Sequence, residues 1–268
     1  MNDEVRQDLA SWMDERALVA AMLRQEAALA QAQTELGLMS VEDAQSILNT
    51  CKVDLFDVPH IVRDSLWASH TAEPPLIKHL RDSVRLFNPT AANAVYRVGQ
   101  RADLLCNALA LVTRDVLDQM GQDMEGLQDH ARSADVLRAW QRVQAAADGA
   151  LRLQFKAPHA PPSWPTAELE QRAAHSLGLS PTLGEGPEDW MALGCELGVF
   201  TLCVQRVAAD PQAVHAPLWV AQWLTELSTH TQRPADARDF WRVQWPLWST
   251  LVLRAAQSLR AWVALPKS

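Results

Sequence analysis

The chain has 268 residues, which is enough for one large domain or two small ones. Its 32 acidic and 24 basic side chains give a formal net charge of −8, and no Lys/Arg cluster offers a surface for phosphate groups, so we expect no nucleic-acid partner. Only 10 residues are glycine, while Ala, Leu, Gln, Glu and Arg dominate, a composition that favours helix and argues against a sheet-rich protein.

Cap and start signals predict four helices in the first third of the chain. Asp14 and Ser40 are suited to cap helices that begin directly after them, and Gly37 ends the first of these two. Pro59 and Pro75 each suit the first turn of a further short helix. The predicted ranges are about 15–36, 40–51, 59–69 and 75–87.

The remaining chain continues the helical pattern, with one interruption. We predict helical stretches at about 90–119, 133–155, 166–177 and 187–209, and two final helices that begin near Pro217 and Pro246. The segment 156–165 contains four prolines and cannot be regular helix, so it is interpreted as a linker. No segment alternates as a strand pair would. The sequence therefore predicts an all-α protein with an N-terminal helical region, 1–88, and a long-helix region, 89–268, which the linker interrupts.

Tryptophan is frequent, with 11 residues against a single tyrosine. Trp219 and Trp223 are one helical turn apart, and Trp241, Trp245 and Trp248 cluster around a predicted turn. We interpret these side chains as packing residues between helices, because each buries a large area. An aromatic ligand box or a partner surface is the alternative.

Cysteines and histidines give no pattern typical of a metal site or a nucleophile. The four cysteines are widely spaced without a C-x-x-C pair, so we expect reduced and mostly buried thiols. The eight histidines show no i, i+4 pairing with one another and no H-E-x-x-H motif, and surface or helix-end positions are expected for them. We predict no metal and no cofactor; a Cys-His nucleophile pair has no positive signal.

The N-terminal residues lack the basic start and apolar run of a signal peptide. No apolar stretch approaches the 18 residues that a membrane span needs. We therefore expect a cytoplasmic protein without a membrane partner.

Four stretches of the chain carry a resemblance to a known family. They are DERALVAAMLRQEAALAQAQTELGLMS from Asp14, AQSILNTCKVDLFD followed by PPLIKHLRDSV, LRLQF at 151–155, and THTQRPADARDFWRVQWPLWSTL. In their order and residues they resemble the fumarase/aspartase superfamily, specifically its 3-carboxy-cis,cis-muconate cycloisomerase branch. The resemblance implies a long-helix bundle, here shortened and lacking the C-terminal domain, that assembles as a homo-oligomer with active sites between subunits and needs no metal or organic cofactor.

The family's chemistry depends on three segments, and the resemblance implies that all three are altered here. The carboxylate-binding segment, His-x-Gly-x-Thr-Ser-x-Asp-x-x-Asp-Thr, corresponds to YRVGQRADLLCNAL. Gly99 and Asp103 keep the family's residue types, Arg97 replaces the His, and Asn107 replaces part of the later Asp-Thr pair. The Gly-Arg-Thr turn and the mobile Gly-Ser-Ser-x-Met-Pro-x-Lys-x-Asn-Pro loop, which holds the family's base, have no counterpart. We therefore predict no catalytic residue and treat Arg97, Gly99, Asp103 and Asn107 as vestigial positions.

Three functional hypotheses follow. The first is a catalytically degenerate cycloisomerase-like protein, a non-enzymatic oligomeric or regulatory helper in protocatechuate breakdown, that forms a homo-oligomer or assembles with an intact lyase paralogue. The second is a shortened cycloisomerase or lyase that still acts on a dicarboxylate such as 3-carboxy-cis,cis-muconate. The third is a sensor that binds an aromatic-catabolism intermediate in the former cleft. Arg97 and Arg101 could form a small anion site there, although a solvated helix face is the simpler expectation.

Overall fold

The structure, a computed structural model, is helical along nearly all of the chain that it describes. The described residues are 9–67, 74–97, 101–125, 133–155, 157, 160–181, 188–208, 220–225 and 240–264. The helices are α1 (Glu15–Glu35), α2 (Val41–Thr50), α3 (Val58–Trp67), α4 (Pro75–Arg85), α5 (Pro89–Ala92), α6 (Arg101–Glu125), α7 (Ser133–Ala150), α8 (Thr166–Leu177), α9 (Glu188–Ala208) and α10 (Trp245–Val263). The described residues also contain a short 3-10 helix (Val53–Leu55), a π-helical segment (Phe240–Gln244) directly before α10, and two short strands, β1 (Arg152–Leu153) and β2 (Ser180–Pro181). The predicted all-α class is confirmed.

The predicted caps of the first two helices are confirmed. The Asp14 carboxylate accepts a hydrogen bond from the backbone N–H of Ala17 at 2.7 Å, and the Ser40 hydroxyl accepts one from the N–H of Asp43 at 3.1 Å. Gly37 adopts φ 69° directly after α1, a left-handed conformation that glycine reaches without a steric penalty. These local signals are enough to fix where both helices begin and where α1 ends.

The predicted stretch 90–119 is two helices and not one. α5 ends at Ala92, and the chain turns through Tyr96, which has φ 56°, before α6 begins at Arg101. In this turn the backbone N–H of Tyr96 donates to the Glu26 carboxyl at 2.7 Å, so a tertiary hydrogen bond replaces the helical one. α6 then continues to Glu125, beyond the predicted end.

The predicted helix 133–155 ends early, at Ala150, and the expectation that the chain contains no strand pair is wrong for a short segment after it. β1 pairs in parallel with β2, with Arg152 opposite Ser180 and Leu153 opposite Pro181. Leu153 is buried against the core, and that burial together with the pairing outweighs helix propensity here.

The long helices form the core, and α6 lies at its centre. α6 packs against α1 on one side and α10 on the other, and α9 packs between α7 and α10. Trp223, Trp245 and Trp248 are all buried, which confirms the packing interpretation for these three. Trp219 and the side chain of Trp241 lie outside the described residues. The indole of Trp248 contacts Trp223, with ring centroids 4.7 Å apart.

α8 joins the two predicted regions of the chain. It packs against α1, and Arg172 of α8 bridges Glu35 of α1 at 3.2 Å and Glu168 of its own helix at 2.7 Å. The division at 88/89 stays a prediction. Of the proline-rich segment, the structure describes residues 157 and 160–165, in which the half-buried Trp164 packs against the core.

One helix corrects the sequence expectation about apolar stretches. α9 is long and apolar enough to cross a membrane by length and composition, although only 44% of the apolar window is buried. Leu193, Leu197, Phe200 and Val204 of this helix are fully buried against its neighbours. The apolar character of α9 is thus used, at least on this face, to fill the core of the bundle.

Candidate functional site

The vestigial positions predicted from the sequence lie at and before the start of α6. Arg97 is exposed in the turn that precedes the helix, and Asp103 and Asn107 are buried one helical turn apart on α6. Gly99 lies outside the described residues. Residues four apart on a helix share a face, so Asp103 and Asn107 point to the same side of α6.

The Asn107 side chain makes two hydrogen bonds to the backbone of a distant residue. Its Nδ2 donates to the carbonyl oxygen of Gln154 at 2.8 Å, and its Oδ1 accepts from the N–H of Gln154 at 2.7 Å. The side chain is 0% exposed. Because each end of the enclosed amide bonds to the backbone of Gln154, Asn107 holds the segment after β1 against α6.

Asp103 and Arg97 are also committed to neighbours within the chain. Asp103 is 3% exposed and takes part in a polar or electrostatic interaction. The guanidinium carbon of Arg97 lies 5.6 Å from the ring centroid of Trp164, which is a cation–π contact. The stretch that contains Arg97, Asp103 and Asn107 therefore makes contacts within the chain at all three positions.

A buried carboxyl that the sequence analysis did not single out lies beside this stretch. Glu26 of α1 is 2% exposed, and its Oε1 accepts the hydrogen bond from Tyr96. Burial raises the pKa of Glu26 to about 7, against the opposing effects of the Tyr96 hydrogen bond and the Arg81 charge. Its Oε2 has no hydrogen-bond partner within the part of the chain that the structure describes. A signal was available, because Glu26 falls on the apolar face of α1 between Met22 and Leu29.

The raised pKa does not make Glu26 a working acid or base. A pKa near neutrality suits proton transfer, yet the side chain is enclosed and a substrate could not reach it.

The pKa of the neighbouring Cys51 thiol is also raised, well above its usual range, by burial and secondarily by the Glu26 charge. A thiol with so high a pKa is a poor nucleophile. None of the four cysteines forms a disulfide, and all four are half-buried, less enclosed than expected.

A cavity of about 180 Å³ lies between α6, α7 and β2. Its polar lining includes Arg114, Asp118, Gln144 and Asp148, and Arg114 bridges Asp118 at 3.6 Å. The cavity shares no lining residue with the vestigial positions. The structure therefore does not bring Arg97, Asp103 or Asn107 to this concave surface.

Side chains with metal-ligand chemistry come together in another part of the fold. His60 and Asp64 of α3 and His79 of α4 offer three ligand atoms that all lie within 4.8 Å of one another. The spacing of the histidines among themselves does not indicate this group, and the signal that the sequence does carry is Asp64, one helical turn after His60. His79 joins them only through the packing of α4 on α3.

No protein-family model matches the chain. By sequence, the chain is 27% identical over 234 residues to a 3-carboxy-cis,cis-muconate cycloisomerase of Bradyrhizobium diazoefficiens, a match that covers 84% of this chain and 48% of that protein. It is 30% identical over 134 residues to a protein of the same name from Pseudomonas putida, covering 47% and 32% of the two chains. The chain thus spans about half the length, or less, of the curated relatives it matches.

Solved structures share the whole architecture. A 3-carboxy-cis,cis-muconate lactonizing enzyme from Pseudomonas putida superposes with a TM-score of 0.82 at 18% identity, over 96% of this chain and 73% of that one. A fumarate lyase from a Mesorhizobium species gives a TM-score of 0.75 at 15% identity, over 96% and 74%.

The long-helix bundle is therefore the fold of the fumarate lyases. In fold and in sequence the chain is similar to members of the fumarase/aspartase superfamily, and the curated relatives it matches by sequence are 3-carboxy-cis,cis-muconate cycloisomerases.

Proposed function

We propose that this chain is a catalytically degenerate, 3-carboxy-cis,cis-muconate cycloisomerase-like protein that acts as a non-enzymatic, oligomeric helper in protocatechuate catabolism. The observation that carries the proposal is the two hydrogen bonds between Asn107 and the backbone of Gln154. At a position where the resemblance implies substrate-binding groups, the side chain is buried and holds two segments of the chain together. A substrate carboxylate could not compete for this amide without leaving both backbone groups of Gln154 unsatisfied.

The sequence supports the proposal at the family's other reactive groups. It contains no Ser-Ser pair, no Met-Pro and no Lys-x-Asn, so the loop that would supply the base has no counterpart in these residues. Loss of a single anion-stabilising donor typically lowers a rate by on the order of a hundredfold, and loss of a general base lowers it by a similar factor. Together these losses would lower the lactonisation rate by on the order of ten-thousandfold.

Exposed apolar residues on α9 support the oligomeric part of the proposal. Val199 and Leu202, three residues apart on the outer face of α9, are 39% and 40% exposed. Val263, near the end of α10, is 40% exposed. Assembly that covers the outer face of α9 would remove the apolar area of Val199 and Leu202 from water.

Catalysis is tested by mixing the purified protein with 3-carboxy-cis,cis-muconate and following the ultraviolet absorbance of the diene. The cycloisomerase from Pseudomonas putida is the positive control. We expect no rate above that of buffer. Turnover by this protein that is lost in Asp103→Asn or Arg97→Ala would overturn the proposal and favour the shortened cycloisomerase.

Assembly is tested separately, by light scattering on a size-exclusion column at micromolar concentration. We expect a homo-oligomer that Val199→Asp and Leu202→Asp dissociate, with helical content unchanged. A second run with an intact cycloisomerase from the same cell tests mixed assembly. A monomer in both experiments would contradict the helper role whatever the catalytic result.

A further inference from the structure

We propose that His60, Asp64 and His79 form a binding site for a divalent transition metal of the Zn²⁺ class. His60 and Asp64 are four residues apart on α3, so both side chains leave the same face of that helix. His79 reaches the same point from α4. Two imidazoles and one carboxylate are ligands that Zn²⁺ and its neighbours in the first transition series accept.

The distances between the ligand atoms are close to those around a bound metal. His60 Nε2 lies 3.5 Å from Asp64 Oδ2, and His79 Nε2 lies 3.8 Å from the same oxygen. Metal–ligand bonds of 2.0–2.2 Å in a tetrahedral arrangement separate neighbouring ligand atoms by about 3.3 Å. Small side-chain rotations would therefore bring the three atoms around one ion, and the edge-on packing of the two imidazole rings already holds them at a centroid distance of 5.4 Å.

The site is open to solvent on one side. The side chains of His60, Asp64 and His79 are 42%, 40% and 35% exposed. An ion can therefore enter without any opening of the core, and a fourth position remains for water or an external ligand. Three protein ligands with one open position are the pattern of metal sites that exchange ligands, whereas closed structural sites supply four.

The present position of the Arg63 side chain disfavours metal binding by His60. Its guanidinium donates to Nδ1 of His60 at 2.8 Å, so Nδ1 has no proton and the neutral ring carries its proton on Nε2. A metal at Nε2 would need that proton to move to Nδ1, where it would meet the Arg63 N–H. Metal binding must therefore displace the exposed Arg63 side chain and add a second positive charge nearby. Replacement of Arg63 by Gln would remove the charge and supply an oxygen that could accept from Nδ1–H, an arrangement that favours ligation.

The test uses the untagged full chain, freed of metal with a chelator and dialysed. Titration with Co²⁺, followed by its visible d–d absorption, and calorimetric titration with Zn²⁺ give stoichiometry and affinity. We expect one ion per chain with the absorption of a four- or five-coordinate site. His79→Gln and Asp64→Asn should each weaken binding by tenfold or more, while Arg63→Gln should strengthen it.

His175→Gln is the matched control, because His175 is exposed on α8 and lies outside the three-residue group. It should leave affinity unchanged. Thermal unfolding gives an independent readout: Zn²⁺ should raise the Tm of the unmodified protein and not that of His79→Gln. An unchanged affinity in both His79→Gln and Asp64→Asn would overturn the proposal and leave the three residues as a simple ion-pair cluster.

Discussion

The indole N–H of Trp248 donates to the hydroxyl of Thr113 at 2.7 Å, and both residues are completely buried. This bond joins α10 to α6, two long helices that are more than a hundred residues apart in the sequence. The bond matters because the Trp248 ring is buried in the bundle, and its single polar group, the indole N–H, needs a hydrogen-bond acceptor there.

Thr113→Val should therefore destabilise the protein although it preserves shape. The substitution leaves the Trp248 N–H buried without its acceptor, at a cost of about 1–3 kcal/mol in the free energy of unfolding. Thr113→Ser keeps the hydroxyl and is the matched control. Urea unfolding followed by tryptophan fluorescence measures both, and a Thr113→Val variant as stable as the unmodified protein would show that the bond contributes nothing.

Asn107→Ala should destabilise the protein by about 2–3 kcal/mol, since it leaves the N–H and C=O of Gln154 unsatisfied next to a small void. Hydrogen exchange at the Gln154 amide should accelerate at the same time. Asn49→Ala is the control and should change stability little, because Asn49 is exposed on α2, where its side chain accepts a bond from Gln45 one helical turn earlier. Normal exchange at Gln154 in the Asn107 variant would contradict the structural role assigned to this residue.

Glu26 should make stability depend on pH. Burial raises its pKa from the ordinary 4.5 to about 7 in the folded chain. Between these values only the unfolded chain loses the proton, so stability falls as pH rises from about 4.5 to 7 and changes no further above it. The loss is on the order of 3 kcal/mol.

The measurement for Glu26 is the Tm at pH 5 and pH 8 for the unmodified chain and for Glu26→Gln. The variant should lose less stability between the two pH values, because glutamine does not titrate. Glu125→Gln, at an exposed position, should keep the pH dependence of the unmodified chain. Identical pH profiles for all three would show that Glu26 ionises as freely in the fold as in water.

Gly198 should not tolerate even a methyl group. A Cβ at this position of α9 would overlap the Val220 side chain, and one at Gly194 would come within 2.8 Å of the Trp223 ring. Gly198→Ala should therefore lose about 1 kcal/mol or more in spite of the higher helix propensity of alanine. At Gly121 of α6 a Cβ meets only Trp140, at 3.7 Å, so Gly121→Ala should gain up to about 1 kcal/mol. Chemical denaturation of both variants gives the change in the free energy of unfolding. If Gly198→Ala stabilised the protein as Gly121→Ala does, the close packing of α9 against Val220 would be refuted.

The helices could be predicted from the sequence because their signals are local. Asp14, Ser40 and Gly37 each lie within two residues of the helix end that they determine. The break around Tyr96 could not be predicted in this way, since it depends on Glu26, seventy residues earlier in the chain.

The candidate sites required tertiary information for the same reason. Asn107 has no local mark of its role, because Gln154 arrives from another part of the chain. His79 joins His60 and Asp64 only when α4 folds onto α3. The resemblance to the cycloisomerases singles out Arg97, Asp103 and Asn107 but does not predict the contacts that these residues make.

The ion pair between Arg172 and Glu35 joins residues 137 positions apart. α1 therefore leaves the ribosome long before α8, one of its two main helical neighbours, has been synthesised. At a translation rate of about 5–20 residues per second, the delay is roughly 7–27 seconds. During that time the apolar stripe of α1 is incompletely covered, which makes the nascent chain, and not the finished protein, the form most exposed to chaperones and to misassembly.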